Sequence, residues 1–278
     1  MSPLAAVHEV ARELHEAGVP TPRVDSEHLV AHVLGLTRSG LYSSDRLLSE
    51  DERSRLQELV SRRSAREPLA YVLGEWGFRR LMLSVDGRAL VPRPETEVVV
   101  ERCLVHLEGL VEPRILDVGT GSGAIALALA DEVPHARVVA VDLSQDALAL
   151  ARVNLARADV DSRVELRHGD LLSGVAGPFD LVVSNPPYVP AAEYDSLQPE
   201  IRLYEPYGAV VGDRVWEQIA REARGALAPG GWLVLECGDG QAAEVSAGLT
   251  ALGYEDVLAT PDLAGRDRVV EARRRGQA

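Results

Sequence analysis

The sequence predicts an α/β protein whose larger part is a Rossmann-like sheet, preceded by a small helical bundle and a linking β-hairpin. Residues 1–70 carry only helical patterns, whereas short apolar runs and helical segments alternate from residue 114 onward. Such alternation is typical of a mainly parallel sheet with helices on both faces. A length of 278 residues with 46% hydrophobic and 26% charged residues suits one large or two modest globular domains.

The opening segment, residues 1–70, is predicted to be a helical domain. Ser2, followed by a proline, is a cap for a first helix that Gly18 ends. A second helix is predicted over 24–34. Ser49 and Glu52 have the spacing of a capping box, which predicts the start of a third, strongly charged helix.

Residues 71–94 are predicted to form a linking hairpin. Residues 78–85 alternate loosely, the pair Asp86-Gly87 is typical of a two-residue hairpin turn, and 88–91 can form the return strand. The segment between two domains is where such a connection is expected.

Residues 92–97 precede a predicted apolar helix over 98–110. Thr96 can cap that helix, and Glu97 suits its positive first turn. An exposed loop of this kind can alternatively serve as a lid for a neighbouring pocket.

Residues 95–278 are predicted to form the α/β domain, with helices between most of its strands. The last two strands can close the sheet in antiparallel fashion. The seven predicted strands are 114–118, 137–142, 163–168, 179–184, 232–237, 254–258 and 268–272.

Composition excludes several classes of protein. The 43 acidic and 29 basic residues give a net charge of −14 at pH 7, which opposes non-specific binding to nucleic acid. No apolar run approaches the roughly 18 residues of a membrane span, so a cytoplasmic protein without membrane contact is expected. Cys103 and Cys237 have no CxxC partner, and neither a disulfide framework nor a metal site is predicted.

A glycine-rich loop joins the first strand of the sheet to its helix, and Asp142 ends the next strand. Glycines there let the backbone approach a ligand closely, and Asp142 stands where a carboxylate can accept both hydroxyls of a ribose. A dinucleotide and S-adenosylmethionine share this geometry. The candidate cofactor residues of the loop are Asp117, Gly119, Thr120, Gly121, Ser122 and Gly123.

The G-x-G-x-G spacing and the acidic Asp117 favour the sulfonium cofactor. A pyrophosphate would be repelled by Asp117, whereas a cationic methyl donor with a free amino group would be attracted. A purely local role for Asp117, as a hydrogen-bond acceptor for the loop, is the alternative. At the third strand end, Asp170 can meet an adenine amine and Leu171 can pack on its ring, although Asp170 is also typical of a solvated turn.

The tetrapeptide Asn185-Pro186-Pro187-Tyr188 follows the fourth predicted strand, at the sheet edge where α/β proteins bind ligands. The side-chain carbonyl of Asn185 and the backbone carbonyl of Pro186 can each accept one hydrogen of an NH2 group, and Tyr188 can stack on a planar amide or base. These residues are candidates for catalysis by positioning, without a base that ionises the nucleophile first. A Pro-Pro strand stop with a packing tyrosine is the structural alternative.

Five motifs together make the chain similar to the protein-(glutamine-N5) methyltransferases of the HemK/PrmC type. They are V-P-R-P-E-T-E at 91–97, I-L-D-V-G-T-G-S-G-A-I-A-L-A-L-A at 115–130, S-N-P-P-Y at 184–188, Y-E-P at 204–206 and D-L-A-G-R-D-R at 262–268.

The resemblance implies a seven-stranded class I methyltransferase domain behind a helical domain that docks the protein substrate. It implies methyl transfer from S-adenosylmethionine to the glutamine of the Gly-Gly-Gln motif in peptide chain release factors. It further implies that Asn185 touches cofactor and substrate, while Pro186, Pro187 and Tyr188 hold the glutamine.

Two departures from the family pattern stand out. Leu171 occupies a position that is often aromatic, and the passage 207–216 is shorter than usual, which is expected to change the loop beside the catalytic turn. An adenine-N6 methyltransferase acting on DNA or RNA is the nearest alternative. A nicotinamide-dependent oxidoreductase and a non-catalytic interaction module are remote ones, and a monomer is favoured.

Overall fold

A computed structural model describes residues 1–276. The chain divides into two compact units, of which the first comprises residues 1–75 with 197–204 and the second comprises 76–196 with the residues from 205 onward. The predicted domains divide instead after residues 70 and 94. Within the described range, no helix is both long enough and apolar enough to cross a membrane.

Helices and strands are numbered in chain order. The helices are α1 (Pro3–Glu16), α2 (Pro22–Leu34), α3 (Glu50–Ser64), α4 (Leu69–Leu73), α5 (Pro94–Leu107), α6 (Ala124–Glu132), α7 (Gln145–Ala158), α8 (Pro199–Tyr204), α9 (Tyr207–Val210), α10 (Val215–Ala226) and α11 (Ala242–Ala251). The strands are β1 (Glu75–Phe78), β2 (Leu81–Ser84), β3 (Arg114–Val118), β4 (Arg137–Asp142), β5 (Val164–His168), β6 (Phe179–Ser184), β7 (Leu227–Glu236), β8 (Tyr254–Pro261) and β9 (Asp267–Arg274).

The predicted starts of the first and third helices are confirmed, whereas α2 begins at Pro22, two residues before its predicted start. The hydroxyl of Ser2 accepts a hydrogen bond from the Ala5 N–H, 3.3 Å away, at the start of α1. At α3 the capping box is complete, because Ser49 Oγ accepts from the Glu52 N–H while Glu52 Oε2 accepts from the Ser49 N–H. The apolar faces of α1, α2 and α3 share one buried core.

Helix α8 belongs to the first unit through a network of ion pairs. The buried Arg63 donates to Asp25 Oδ2 at 2.7 Å and to Glu200 Oε1 at 2.9 Å. Arg66 binds both carboxylate oxygens of Glu200, each at 2.7 Å. The Tyr204 hydroxyl donates to the backbone oxygen of Ala65. Paired and hydrogen-bonded in this way, the buried charges are satisfied.

The hairpin exists, but its predicted turn and return strand are wrong. β1 and β2 form a two-stranded sheet, and the turn between them begins at Arg79, whose φ is +53°. The Arg79 N–H donates to Glu97 Oε1, and its guanidinium pairs with Glu132, so distant acidic residues stabilise this turn. Asp86 accepts instead from the N–H of Arg88 in a local turn, and residues 88–91 form no strand.

The seven-stranded sheet of the second unit is confirmed, with the order β5-β4-β3-β6-β7-β9-β8. The five strands from β3 to β7 run parallel, and β9 pairs in antiparallel fashion with both β7 and β8, as predicted for the end of the sheet. From β5 the chain crosses back to β6 on the other side of β3. The carboxyl ends of β3 and β6 therefore flank a topological switch point, where open α/β sheets bind ligands.

The core of the second unit lies on the two faces of this sheet. Residues 124–130 of α6 are all buried, which fits their uninterrupted run of alanine, leucine and isoleucine. Side chains of β3, β6 and β7 pack with α10 and α11 on a second apolar cluster, which includes Leu116, Val182, Leu233 and Ile219. Close packing on both faces of the sheet fixes the positions of the strand ends relative to one another.

Candidate active site

A cavity of about 620 Å³ lies in the second unit, at the carboxyl ends of β3, β4, β5 and β6. This volume is within the roughly 300 to 1,000 Å³ of typical small-molecule sites. The strand ends contribute Gly119, Asp142, Asp170 and Asn185, and the segment 88–93 contributes a further wall. With Pro206 also lining it, four of the five sequence motifs contribute residues to this one cavity.

The backbone of the glycine loop adopts dihedral angles that residues other than glycine would adopt only with strain. Gly119, Gly121 and Gly123 have φ values of +72°, +57° and +87°, in the left-handed region that favours glycine. At Gly123 a Cβ would also lie 3.2 Å from Leu127 Cδ1. The loop therefore presents mainly backbone to a ligand. Of the predicted loop residues, those that line the cavity are Gly119, Thr120, Gly121 and Ser122, whereas Gly123 is the N-cap of α6.

The loop is held from two sides. The N–H groups of Gly119 and Thr120 both donate to the Val141 carbonyl of β4, at 2.8 and 3.0 Å. Asn154 of α7, which is buried, donates to the Ser122 carbonyl at 2.9 Å. Asn154 was not predicted as a site residue, because a single amide in a helical pattern carries no local signal of such a contact.

Asp117 is fully buried and does not line the cavity. Its Oδ2 accepts from the Thr120 hydroxyl at 2.6 Å and from the Ala126 N–H at 3.2 Å. Burial raises the pKa of Asp117 to about 7, although these two hydrogen bonds act in the opposite direction. These contacts support the local, loop-holding role, and a direct contact with the cofactor stays a prediction.

Asp142 lines the cavity at the end of β4. Its Oδ2 accepts from the Gly121 N–H and its Oδ1 from the Ser144 N–H, each at 2.8 Å. A carboxylate has about four acceptor positions, so two remain for ligand hydroxyl groups. The predicted ribose contact is therefore compatible with the position of Asp142.

Asp170 and Leu171 both line the cavity, at the end of β5. Asp170 is exposed, and Leu171 has a φ of +47° and packs against the sheet core. Leu143, which sequence reasoning missed, lines the same end although it is 66% exposed. Leu143 and Leu171 give this end of the cavity two apolar side chains, which suit a planar base.

Only two of the four residues of the tetrapeptide after β6 line the cavity. Asn185 and Pro187 line the cavity, whereas Pro186 and Tyr188 are not among its lining residues. The Tyr188 backbone oxygen accepts from Gln241 Nε2 at 2.9 Å. Burial raises the pKa of the Tyr188 phenol to about 12, so the phenol stays neutral near pH 7.

The side chain of Asn185 is held by two residues outside the tetrapeptide. Asn185 Nδ2 donates to Thr96 Oγ1 at 3.2 Å, and Thr96 Oγ1 donates to Glu236 Oε2 at 2.7 Å. The prediction of Thr96 as a helix cap is wrong, because α5 begins at Pro94 and Arg93 is its N-cap. Glu236 was missed, although a lone acidic residue at the carboxyl end of an apolar strand is a usable signal.

The passage after residue 204 packs against Pro187 of the tetrapeptide and bonds to Val189, the residue that follows it. Val189 and Val211 form a parallel bridge, and the Gly212 N–H donates to the Val189 carbonyl. Glu205 is buried and pairs with Arg93, which lines the cavity. Within the shortened passage, the residues that line the cavity are Gly208, Ala209, Val211 and Val215, so this passage forms part of the site wall.

These features fit S-adenosylmethionine. The glycine backbone can approach an adenosyl or methionyl group closely, and Asp142 has acceptor capacity left. Among the described residues, Asp117 Oδ1 has no hydrogen-bond partner, so the carboxyl group keeps an unused acceptor directly before the glycine loop, although Asp117 does not line the cavity. Within the same range, no group of three or more His, Cys, Asp or Glu side chains is arranged to hold a metal ion.

Comparison with known proteins adds independent information. Residues 5–74 match the PrmC N-terminal domain family, and residues 97–200 match the methyltransferase small domain family. The chain is 43% identical to the release factor glutamine methyltransferase of Deinococcus radiodurans, over 96% of this chain and 97% of that protein. Identity to the release factor glutamine methyltransferase of Streptomyces coelicolor is also 43%, over 98% of each chain.

A crystal structure of a methyltransferase from Pyrococcus furiosus is similar in fold. It aligns with 82% of this chain and 100% of its own, with a TM-score of 0.52 and 20% identity. At this identity the likeness supports the fold, and it bears on no substrate.

Proposed function

Because the chain belongs to the release factor glutamine methyltransferase family, we propose that it methylates the side-chain amide nitrogen of the glutamine in the Gly-Gly-Gln motif of peptide chain release factors. The observation that carries this proposal is the hydrogen-bonded amide of Asn185, which lies in the cavity wall beside the glycine loop. A second amide can bind there through its NH2 group. The methyl donor is S-adenosylmethionine.

The residues of the chain act by holding and orienting the glutamine. Asn185 Oδ1 accepts one hydrogen of the glutamine NH2 group. The backbone carbonyl of Pro186, which lies between the cavity-lining residues Asn185 and Pro187, accepts the other when the substrate is bound. The nitrogen is thereby restricted to one direction of approach, and such positioning accounts for a large part of catalysis in two-substrate reactions. Asn185 and Pro187, which line the cavity, keep the amide group away from bulk water.

S-adenosylmethionine, when bound, supplies a methyl group on a positively charged sulfur. The glycine loop, Asp142 and the leucines near β5 are the groups that would hold it. Carbonyl oxygens of Asn185 and Pro186 stabilise the positive charge that develops on the amide nitrogen. Tyr188 does not act as a base near pH 7, because its pKa is about 12. Proton loss to water can follow the transfer.

The remaining partner assignments are also proposals. Residues 1–70 dock the release factor, as the match to the PrmC N-terminal domain supports. The net charge of −14 supports a basic protein partner rather than direct binding to nucleic acid. A monomer acting in the cytoplasm, where release factors work, completes the proposal.

Incubation with S-adenosylmethionine carrying a labelled methyl group tests this function. Three acceptors are offered separately: an unmodified release factor, the same release factor with its Gly-Gly-Gln glutamine changed to alanine, and a mixture of DNA and RNA. We expect label only in the unmodified release factor. Label in nucleic acid alone would favour the adenine-N6 alternative, which shares the Asn-Pro-Pro-Tyr sequence.

A further inference from the structure

Three side chains from separate parts of the second unit form one hydrogen-bonded chain. Asn185 follows β6, Thr96 lies in the first turn of α5, and Glu236 ends β7. Thr96 is 4% exposed and Glu236 is 1% exposed. With Thr96 Oγ1 at 3.2 Å from Asn185 Nδ2 and 2.7 Å from Glu236 Oε2, the hydroxyl connects a buried carboxyl group to the cavity wall.

The number of hydrogens available among these three side chains determines which group donates and which accepts in each hydrogen bond. A threonine hydroxyl has a single hydrogen to donate, and an ionised carboxylate can only accept. When Glu236 is ionised, the Thr96 hydrogen points to Glu236, and only a lone pair faces Asn185. Asn185 must then turn its NH2 group towards Thr96, which leaves Oδ1 as the atom that can face a substrate amide.

We propose that Thr96 and Glu236 are positioning residues, which hold Asn185 in the one amide orientation that accepts a hydrogen from an NH2 group. This inference rests on the proposed function. With the amide reversed, Asn185 would direct its own NH2 group at the substrate NH2 group, and two donors would face each other.

The protonation state of Glu236 controls this orientation. Burial raises the pKa of Glu236 to about 7, against the hydrogen bond from Thr96. A neutral Glu236 can donate to Thr96, which frees the Thr96 hydrogen to point towards Asn185 and permits the reversed amide. Turnover is therefore expected to fall as the pH drops below about 7. The other titratable or charged groups around Glu236 are Arg93, which is the N-cap of α5, Glu95 of α5, Tyr188, Cys237 and Arg268 of β9.

The first test compares Thr96→Val with Thr96→Ser. Valine keeps the shape of threonine but has no hydroxyl, whereas serine keeps the hydroxyl. We expect Thr96→Val to lower kcat on a release factor by about 10- to 100-fold, which corresponds to one or two lost hydrogen bonds. Thr96→Ser should stay within roughly threefold of the wild-type protein, since the donor and the acceptor remain.

Two controls separate positioning from misfolding. The Kd for S-adenosylmethionine, measured by calorimetry, should change by less than about threefold in Thr96→Val. The melting temperature should fall by only a few degrees, as expected for the loss of one buried hydrogen bond, and the protein should still unfold cooperatively. A kcat of Thr96→Val close to the wild-type value, or a loss in Thr96→Ser as large as in Thr96→Val, would overturn the proposal.

The second test is the pH profile of kcat, normalised for each variant. In the wild-type protein we expect kcat to rise as the pH increases through about 7. Glu236→Gln has no titrating group at this position, and in Thr96→Val the connection is cut, so both should lack this rise. An unchanged rise in both variants would overturn the proposal. Failure of the proposed function is distinguishable, because the wild-type protein itself would then leave release-factor glutamine unmodified.

Discussion

Gly212 packs directly against the backbone carbonyl of Pro187. A Cβ added at Gly212 would lie 2.5 Å from Pro187 O and 2.9 Å from Val215 Cγ2, both closer than real Cβ contacts allow. The Gly212 N–H also donates to the Val189 carbonyl at 3.1 Å. The position of the Asn-Pro-Pro-Tyr turn thus depends on a glycine in the shortened passage that follows it.

Changing Gly212 to alanine should displace Pro187. We expect a fall in kcat of at least about tenfold and a loss of unfolding free energy of roughly 1–3 kcal/mol, because the added methyl group overpacks a backbone contact. Methylation kinetics and urea denaturation measure the two effects.

Gly225→Ala is the matched control, since Gly225 is an exposed residue of α10 and an added Cβ there meets nothing within 4 Å. Alanine in a helix should stabilise by about 0.5–1 kcal/mol and leave kcat unchanged. Equal behaviour of the two variants would contradict the proposed contact with Pro187.

Replacing Asn185 by alanine should affect turnover far more than cofactor binding. The substitution removes the side-chain carbonyl that orients the glutamine, and loss of one such group typically costs about 100- to 1,000-fold in kcat. The Kd for S-adenosylmethionine, measured by calorimetry, should change by less than about threefold. Equal losses in turnover and affinity would argue that Asn185 mainly holds the cofactor.

Asp142→Asn is expected to weaken cofactor binding. Both carboxylate oxygens of Asp142 accept hydrogen bonds from backbone N–H groups, one from Gly121 and one from Ser144. An asparagine side chain would place its NH2 group opposite one of these N–H groups, so that two donors would face each other. We expect the Kd for S-adenosylmethionine to rise by about tenfold or more, or roughly 1.4 kcal/mol.

Asp146→Asn makes the same change of charge at an exposed position in the first turn of α7. Its Kd should stay within about twofold of the wild-type value. A comparable weakening in Asp146→Asn would mean that overall charge, rather than the contacts of Asp142, determines the affinity.

Glu271 makes the stability of the second unit depend on pH. Burial alone would raise the pKa of Glu271, but the two hydrogen bonds from Arg102, together with the nearby His106 side chain, lower it to about 2. Arg102 contacts both carboxylate oxygens, at 2.6 and 2.8 Å. Because the pKa is lowered on folding, this stabilisation is complete above about pH 4.5 and is lost as the pH falls towards 2.

Glu271→Gln should therefore lower the unfolding free energy by about 2 kcal/mol at pH 7, and the difference from the wild-type protein should shrink below pH 4. Urea denaturation across this range measures it. Glu255→Gln, which affects a more exposed pair with Arg275, should cost less than about 1 kcal/mol at any pH. If the difference in unfolding free energy between Glu271→Gln and the wild-type protein did not depend on pH, the stabilising role of ionised Glu271 would be contradicted.

The sheet was predictable because buried parallel strands are short, almost wholly apolar runs. β3, β4 and β6 have the predicted bounds, and β5 begins one residue later than predicted, at Val164. The hairpin turn was not predictable in this way. Arg79 adopts a left-handed conformation that the residue itself does not favour, and the acidic groups that stabilise it come from α5 and α6.

The site was predictable where a residue follows directly from a strand end. Gly119, Asp142 and Asn185 lie around one cavity for that reason. Thr96, Glu236 and Gly212 were not predicted as site residues, since their contacts with the tetrapeptide depend on how α5, β7 and the passage after residue 204 pack against it. Apart from the place of Glu236 at the end of an apolar strand, local sequence patterns carry no information about such packing.

Mass spectrometry of a release factor after incubation with the protein and S-adenosylmethionine tests the central claim most directly. The proposed function predicts a mass increase of one methyl group, confined to the peptide with the Gly-Gly-Gln sequence and assigned by fragmentation to the glutamine side chain. The Asn185→Ala protein should produce little of this product in the same time. A methyl group on another residue, or an unmodified glutamine after incubation with the wild-type protein, would contradict the claim.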